Sequence, residues 1–205
     1  MNVAPLIHVV DDDESTRTAL LELLAAAGFE ALGYASTGEF LLQLAPDRPG
    51  CVLLDVRLPG PSGLELQAAL LRQGIMLPVV FLAGHADVAT SVRAMKAGAV
   101  DFLEKPVGRD VLLDALHRAL ARDAAERAMR ERAQGQRMRL AALTDRERDV
   151  FERLVAGKRN KEIAAELGIG LRTVKAYRAQ LMVKLGATSP AELGRIAGEQ
   201  HDPSS

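Results

Sequence analysis

Along the first 120 residues, short apolar runs alternate with longer segments whose apolar residues recur at helical spacing. Leu6 to Val10 reads as a buried strand, and Glu14 to Ala27 as a helix whose apolar face is Leu20, Leu21, Leu23 and Leu24 and which stops at Gly28. A short strand follows (Glu30 to Tyr34), then a helix opened by Ser36 with Glu39 three residues on, the spacing of a capping box. The pattern repeats as strand 51–55, helix 63–72, strand Pro78 to Leu82, helix 87–97, strand Val100 to Leu103 and a helix from about Arg109. Five strands alternating with five helices predict an α/β fold, a doubly wound parallel sheet with helices on both faces.

The pattern then changes. Val111, Leu112, Ala115, Leu116, Ala119 and Leu120 would seat the fifth helix on the sheet, but from Asp123 to Arg139 the chain is mostly Ala, Arg, Glu and Gln. That composition predicts a long exposed helix, breaking at Gly135, that serves either as a semi-rigid connector or as a passive spacer. Beyond it all predicted elements are helical. Thr144-Asp145-Arg146-Glu147 is a capping box for a helix that buries Val150, Leu154 and Val155 and ends near Gly157. Asn160 is the expected cap of a short helix, Lys161 to Leu167. Gly168-Ile169-Gly170 turns the chain into Leu171 to Leu185, and a fourth helix starts near Ser189-Pro190. Two short helices around a tight glycine turn form a helix-turn-helix unit. The organisation expected is therefore 1–121, a helical linker 122–142, and a small all-α domain 143–205.

Charge sharpens this division. Residues 1–122 hold 10 Lys/Arg against 15 Asp/Glu, residues 123–142 hold 5 against 3, and residues 143–205 hold 11 against 9. An acidic front and a mildly basic back suggest different partners, with nucleic acid for the second domain. No apolar run is long enough for a signal peptide or a membrane span, which predicts a soluble, cytosolic protein without a membrane partner. The single Cys51 excludes an intramolecular disulfide and lies in an apolar run. His8, His85, His117 and His201 lack metal-ligand spacing.

The candidate chemistry sits at predicted strand ends. Asp55 closes the third strand just before Pro59, Gly60, Pro61 and Gly63 force a loop, and Asp11, Asp12 and Asp13 follow the first. In an open parallel sheet that edge holds the ligand crevice, and the first and third strands can be neighbours. Three carboxylates in one crevice repel unless a counterion is present, and Mg²⁺ suits one or two carboxylates plus waters and phosphate oxygens. Lys105, ending the fifth strand before Pro106, can reach the same place. Singly, Asp55 could be a solubilising strand end, Asp11 to Asp13 a solvated helix start and Lys105 a surface charge. In the third helix of the second half, Val174, Tyr177, Leu181 and Leu185 would face the core and leave Lys175, Arg178, Ala179 and Met182 on an adjoining face. Small residues at 176 and 179 would let that helix approach base edges, although a solvated amphipathic helix has the same periodicity.

Motifs then carry a resemblance. His8-Val9-Val10-Asp11-Asp12-Asp13-Glu14, Leu54-Asp55-Val56-Arg57-Leu58-Pro59-Gly60, Ala94-Met95-Lys96-Ala97-Gly98-Ala99 and Asp101-Phe102-Leu103-Glu104-Lys105-Pro106 resemble the receiver domain of two-component response regulators. Leu143-Thr144-Asp145-Arg146-Glu147, Gly157, Asn160-Lys161-Glu162-Ile163-Ala164, Leu167-Gly168-Ile169 and Thr173-Val174-Lys175 resemble the LuxR-type DNA-binding domain of the NarL/FixJ subfamily. The resemblance implies that Asp55 accepts a phosphoryl group from a sensor histidine kinase. It further implies that Asp11, Asp12, Asp55 and the Arg57 backbone carbonyl hold Mg²⁺, that Lys105 contacts the phosphoryl oxygens, and that Phe102 is the aromatic that changes rotamer on activation. Thr173, Lys175, Ala176, Arg178 and Ala179 become the DNA-binding set, with double-stranded DNA and RNA polymerase as partners and a homodimer, built on the last helix (Ser189 to Ala197), as the activated state.

Three positions depart from the pattern. Gly170 stands where Ser is usual and Tyr177 where His is usual; neither change threatens the fold. Ala83 stands where the family has Thr or Ser, so the hydroxyl that would bond a phosphoryl oxygen is missing. The leading expectation is a phosphorylation-controlled transcription regulator, not an enzyme, with altered switching. The alternatives are a DNA-binding regulator whose receiver is only an interaction module, and a Mg²⁺-dependent aspartyl-phosphate phosphatase, which would need an acid where Arg57 stands.

Overall fold

The computed structural model describes residues 3–84 and 87–198, so His85 and His201 lie outside it. The chain divides into two compact units, Met1–Arg127 and Ala128–Ser205. In the first, β1 (Leu6–Val10), β2 (Glu30–Tyr34), β3 (Gly50–Asp55), β4 (Val79–Ala83) and β5 (Asp101–Glu104) form one parallel sheet in the order β2-β1-β3-β4-β5. Helices α1 (Glu14–Ala26), α2 (Thr37–Gln43), α3 (Gly63–Arg72) and α4 (Val88–Lys96) connect the strands, and α5 (Arg109–Ala141) follows.

Because side chains alternate across a strand, the sheet builds two cores. Ile7, Val9, Cys51, Leu53, Val80 and Leu82 pack with Leu20 and Leu24 of α1 and with Leu112, Leu116 and Ala119 of α5. Val10, Val52, Leu54, Val79 and Phe81 pack with Phe40 of α2, Leu66 and Leu70 of α3 and Ala94 of α4. Strands covered on both faces explain why β1, β3 and β4 read as continuous apolar runs. Burial, with a contribution from the charge of Asp123, pushes the Cys51 thiol up to about 12, so it is an inert core residue.

Gly50 opens β3 where no side chain fits, since a Cβ there would lie 2.0 Å from the Leu6 carbonyl oxygen. Its N–H donates to Asp123 Oδ2 at 2.9 Å, and Arg127 clasps Asp123 while donating to the carbonyls of Asp47 (2.8 Å) and Arg48 (2.7 Å). The polar helix beyond Arg122, expected to be wholly exposed, therefore carries a buried carboxylate within the first unit.

In the second unit, α6 (Asp145–Val155), α7 (Asn160–Leu167), α8 (Leu171–Leu185) and α9 (Pro190–Gly198) enclose Val150, Phe151, Ile163, Val174, Leu181, Leu185, Leu193 and Ile196, joined by Leu140 and Leu143. The Thr144–Glu147 capping box is present.

Three local expectations are corrected. Helix α5 continues through Gly135, because one interior glycine costs only about 1 kcal/mol against alanine and its neighbours are strong helix formers. The cap of α7 is Arg159, whose N–H donates to Glu162 at 2.6 Å, and Asn160 is the first helical residue. At α2 the Ser36 hydroxyl accepts the Glu39 N–H at 3.1 Å, but the Glu39 carboxylate accepts from Ala35 at 2.7 Å instead of closing the box on Ser36.

His8, on β1, is buried against Phe40 and Tyr34, with Nδ1 2.9 Å from the Tyr34 hydroxyl. Burial, aided by the charge of Arg48, lowers its pKa to about 4. The unfolded chain takes a proton at His8 near pH 6.5 that the folded chain refuses, so stability present above that pH is lost as pH falls toward 4. Between pH 7.5 and pH 5 the wild type should lose about 2 kcal/mol more than a His8→Leu variant, as measured by urea unfolding at both pH values.

Candidate functional site

Strands β1 and β3 run in parallel with Val10 opposite Leu54, so the next residues, Asp11 and Asp55, meet at the carboxyl edge of the sheet. This is also where the connections diverge, β1 lying between β2 and β3. One oxygen each of Asp11, Asp12 and Asp55 falls within a 4.8 Å cluster, as the sequence predicted for this trio. Asp11 and Asp55 are buried and Asp12 is exposed. Asp13 turns away: its carboxylate accepts the Thr16 N–H at 2.6 Å and the Ser15 hydroxyl at 2.7 Å, capping α1.

Each buried carboxylate divides its oxygens between a backbone amide and one lysine. Asp11 Oδ1 accepts the Asp13 N–H at 3.1 Å and Oδ2 accepts Lys105 Nζ at 2.7 Å. Asp55 Oδ1 accepts the Arg57 N–H at 2.8 Å and Oδ2 is also bonded by Lys105 Nζ. Arg57 thus meets Asp55 through its amide, with its side chain exposed. Lys105 precedes a cis bond to Pro106, and its own N–H donates to the Ala83 carbonyl at 2.8 Å, tying it to the end of β4. Behind Asp55 the start of α3 closes in; a Cβ at Gly63 would stand 2.3 Å from the Asp55 carbonyl oxygen.

Burial raises the pKa of Asp11, outweighing the lowering by Lys105. Burial also opposes the Lys105 ammonium, but its hydrogen bonds and charge attraction to Asp11 and Asp55 hold its pKa above the ordinary lysine value. The donor set is all oxygen, carries three carboxylates and has one exposed member, which fits a small hard divalent cation.

Ala83 is buried as the last residue of β4, at the carboxyl edge of the sheet, and brings no hydroxyl there. Phe102 on β5 is half-buried, its ring 6.0 Å from that of Phe81. Sequence reasoning missed Arg17, which donates to the Asp11 carbonyl at 2.7 Å; its position four residues after the Asp13 cap was the available clue.

In the second unit, Gly168 ends α7 in the left-handed region (φ 64°) and Gly170 caps α8 without a side-chain bond. Val174, Leu181 and Leu185 are buried and Tyr177 half-buried, as their spacing predicts. Thr173, Lys175, Ala176 and Ala179 are exposed, while Arg178 is half-buried and donates to Asn160 Oδ1 at 3.4 Å. A pairing not anticipated, Lys184 Nζ to Glu147 Oε2 at 2.7 Å, ties α8 to the start of α6.

Comparison with known proteins places both halves. Residues 7–117 match the response regulator receiver domain and residues 141–197 match the luxR family of bacterial regulatory proteins. The chain belongs to the NarL/FixJ family of two-component response regulators. It is 42% identical over 192 residues to nodulation protein W of Bradyrhizobium diazoefficiens, covering 94% of this chain and 85% of that protein. It is 42% identical over 191 residues to the transcriptional regulatory protein FixJ of Azorhizobium caulinodans, covering 93% and 90%. The solved structure of the response regulator StyR matches with a TM-score of 0.85 at 41% identity, covering 96% of this chain and 99% of that one. The protein is therefore a DNA-binding transcriptional regulator of a two-component system. Among its described residues no helix is long and apolar enough to cross a membrane.

In this response regulator the lysine is the cation that makes the acidic crevice tolerable. Replacing it (Lys105→Met) should cost about 2 to 3 kcal/mol in urea unfolding at pH 7 in EDTA. The loss should shrink as pH falls, because burial already raises the Asp11 pKa and its protonation relieves the repulsion the lysine no longer offsets.

Proposed function

We propose that Asp55 is the phosphoacceptor of a sensor histidine kinase and that the phosphoryl group controls dimerisation and DNA binding. The observation that carries this reading is the convergence of Asp55, Asp11, Asp12 and Lys105 at one strand edge. An oxygen of Asp55 attacks the phosphorus of a phosphohistidine, an O–P bond forms as the N–P bond breaks, and the imidazole leaves. Lys105, released from the Asp55 oxygen it holds at rest, follows the charge onto the phosphoryl oxygens. Asp11, Asp12, Asp55 and the Arg57 carbonyl would hold Mg²⁺, which when bound neutralises charge on the transferred group.

In this reading residues 1–121 receive the signal, 122–142 connect, and 143–205 bind DNA. The protein acts as a regulator and not as a phosphatase, because Arg57 occupies the place where the phosphatase mechanism needs a second acid. Thr173, Lys175, Ala176, Arg178 and Ala179 form the DNA-facing set of α8, with Arg178 held by Asn160. A domain of such low net charge binds one half-site weakly, so two copies joined through α9 supply the affinity. RNA polymerase is the further partner of the DNA-bound dimer, in the cytoplasm.

Ala83 weakens the link between phosphorylation and output. A hydrogen bond to a charged group contributes roughly 1.5 to 3 kcal/mol, so coupling should be about 10- to 150-fold lower than with a hydroxyl. Sedimentation velocity with Mg²⁺ and beryllium fluoride, a phosphoryl mimic, tests this. Ala83→Thr should dimerise at correspondingly lower protein concentration than the wild type, and Asp55→Asn should not respond. A wild type and Thr variant that both ignore the mimic would favour a receiver that serves only as an interaction module.

The DNA-facing set has its own test. On a random duplex, Lys175→Ala should weaken binding and reduce the slope of log affinity against log salt by about one, as one phosphate contact is lost. An unchanged slope would remove Lys175 from the interface.

A further inference from the structure

Arg17 reaches from α1 back over the loop that carries Asp11 and Asp12. Its Nη1 donates to the Asp11 carbonyl at 2.7 Å and, at the longer distance of 3.5 Å, to that of Asp12, while its backbone N–H donates to the Asp13 carbonyl at 2.9 Å. An Nη nitrogen carries two N–H groups, so it can serve two acceptors. One residue therefore holds all three carbonyls of the loop. The stem of its side chain runs beside β2 where that strand has no side chain: a Cβ at Gly33 would stand 3.1 Å from both Cγ and Cδ of Arg17. The loop needs such a hold because its carboxylates are unequally supported. Asp11 and Asp55 each bond a backbone amide and Lys105, and Asp13 caps α1. The exposed Asp12 carboxylate accepts no hydrogen bond among the described residues. What brings it into the 4.8 Å cluster is therefore the course of its main chain.

We propose that Arg17 is a positioning residue for the cation: by fixing the Asp11 and Asp12 carbonyls it keeps the Asp12 carboxylate in the crevice shared with Asp11 and Asp55. The inference rests on the metal site of the function proposed above. Charge and position act in opposite directions here. The guanidinium is a positive charge beside a cation site, and by Coulomb's law alone it repels the ion. As a grip on the loop it holds Asp12 in place before the ion arrives, and loss of such an outer partner typically lowers the affinity of a metal site about 10- to 100-fold. Because Arg17 is only half-buried, solvent and salt screen its charge, whereas its hydrogen bonds act at contact. The grip should outweigh the repulsion.

The test is a titration of the full-length protein with magnesium chloride followed by amide NMR, with urea unfolding in EDTA as the control for stability. Arg17→Met, which keeps the stem and removes both charge and donors, should bind Mg²⁺ about tenfold more weakly than the wild type. Arg17→Lys keeps the charge but replaces the planar fork by one compact ammonium, and its affinity should fall between the two. A purely electrostatic role predicts the opposite order, with Arg17→Met the tightest binder and Arg17→Lys equal to the wild type. A merely structural role predicts lower stability in EDTA with Mg²⁺ affinity unchanged. Either result would overturn the inference, and if Arg17→Met does not fold, equal affinities of Arg17→Lys and the wild type overturn it. In both cases a wild type that binds Mg²⁺ leaves the phosphoacceptor reading standing, whereas a wild type whose Asp11, Asp12 and Asp55 amides ignore Mg²⁺ would overturn the metal site and the role of Arg17 together.

Discussion

Two carboxylates held out of water beside one another are unstable alone, and much of the first unit is arranged so that Asp11 and Asp55 are not alone. They meet because β1 and β3 pair in parallel with no offset at their carboxyl ends. Repulsion between them is offset by a single ammonium, Lys105, delivered from β5 on the far side of β4 and fixed there by its own N–H on the Ala83 carbonyl. Four of the five strands are therefore parties to one electrostatic balance. Backbone amides complete it, the Asp13 and Arg57 N–H groups taking the oxygens the lysine does not reach. The balance is only partial, since burial still raises the Asp11 pKa. That residual is what a cation entering beside exposed Asp12 would relieve.

The parts legible in the sequence were those with a period. Strands buried on both faces announce themselves as apolar runs, and a charged residue at the end of such a run has to lie at the sheet edge. Asp55, Asp11 and Lys105 were found in this way. What escaped was polar and non-local. Asp123 and Arg127 look like linker because nothing in their neighbourhood shows that Gly50, 73 residues earlier, needs an acceptor. Arg17 and Lys184 are ordinary helical cations until the carbonyl of Asp11 and the carboxylate of Glu147 are seen beside them. Gly135 misled in the other direction: a local propensity is a small energy, and a helix of strong formers absorbs it. Asn160 likewise has the residue type of a cap, yet the chain uses the backbone N–H of Arg159 and the carboxylate of Glu162.

Ala83 can be argued further from its burial. At 2% exposure, a hydroxyl at this position would have to find a partner or remain unpaired. In the proposed reading a phosphoryl oxygen on Asp55 provides that partner, whereas at rest the site offers the hydroxyl less. A threonine would therefore favour the phosphorylated form twice over, through a bond gained when the group is present and a desolvation cost borne when it is absent. Alanine removes both contributions. It leaves the Lys105 tether intact, because that bond is to the backbone carbonyl, and it leaves the acid cluster untouched. In that reading alanine separates two properties that share one pocket: the capacity to accept a phosphoryl group, which would rest on Asp55, Asp11, Asp12 and Lys105, and the energy difference that acceptance creates, which would rest on the hydroxyl. On the same reading, a receiver built in this way would keep its chemistry while its resting and phosphorylated forms lie closer in free energy, and output would draw more of its bias from protein and DNA contacts than from the phosphoryl group.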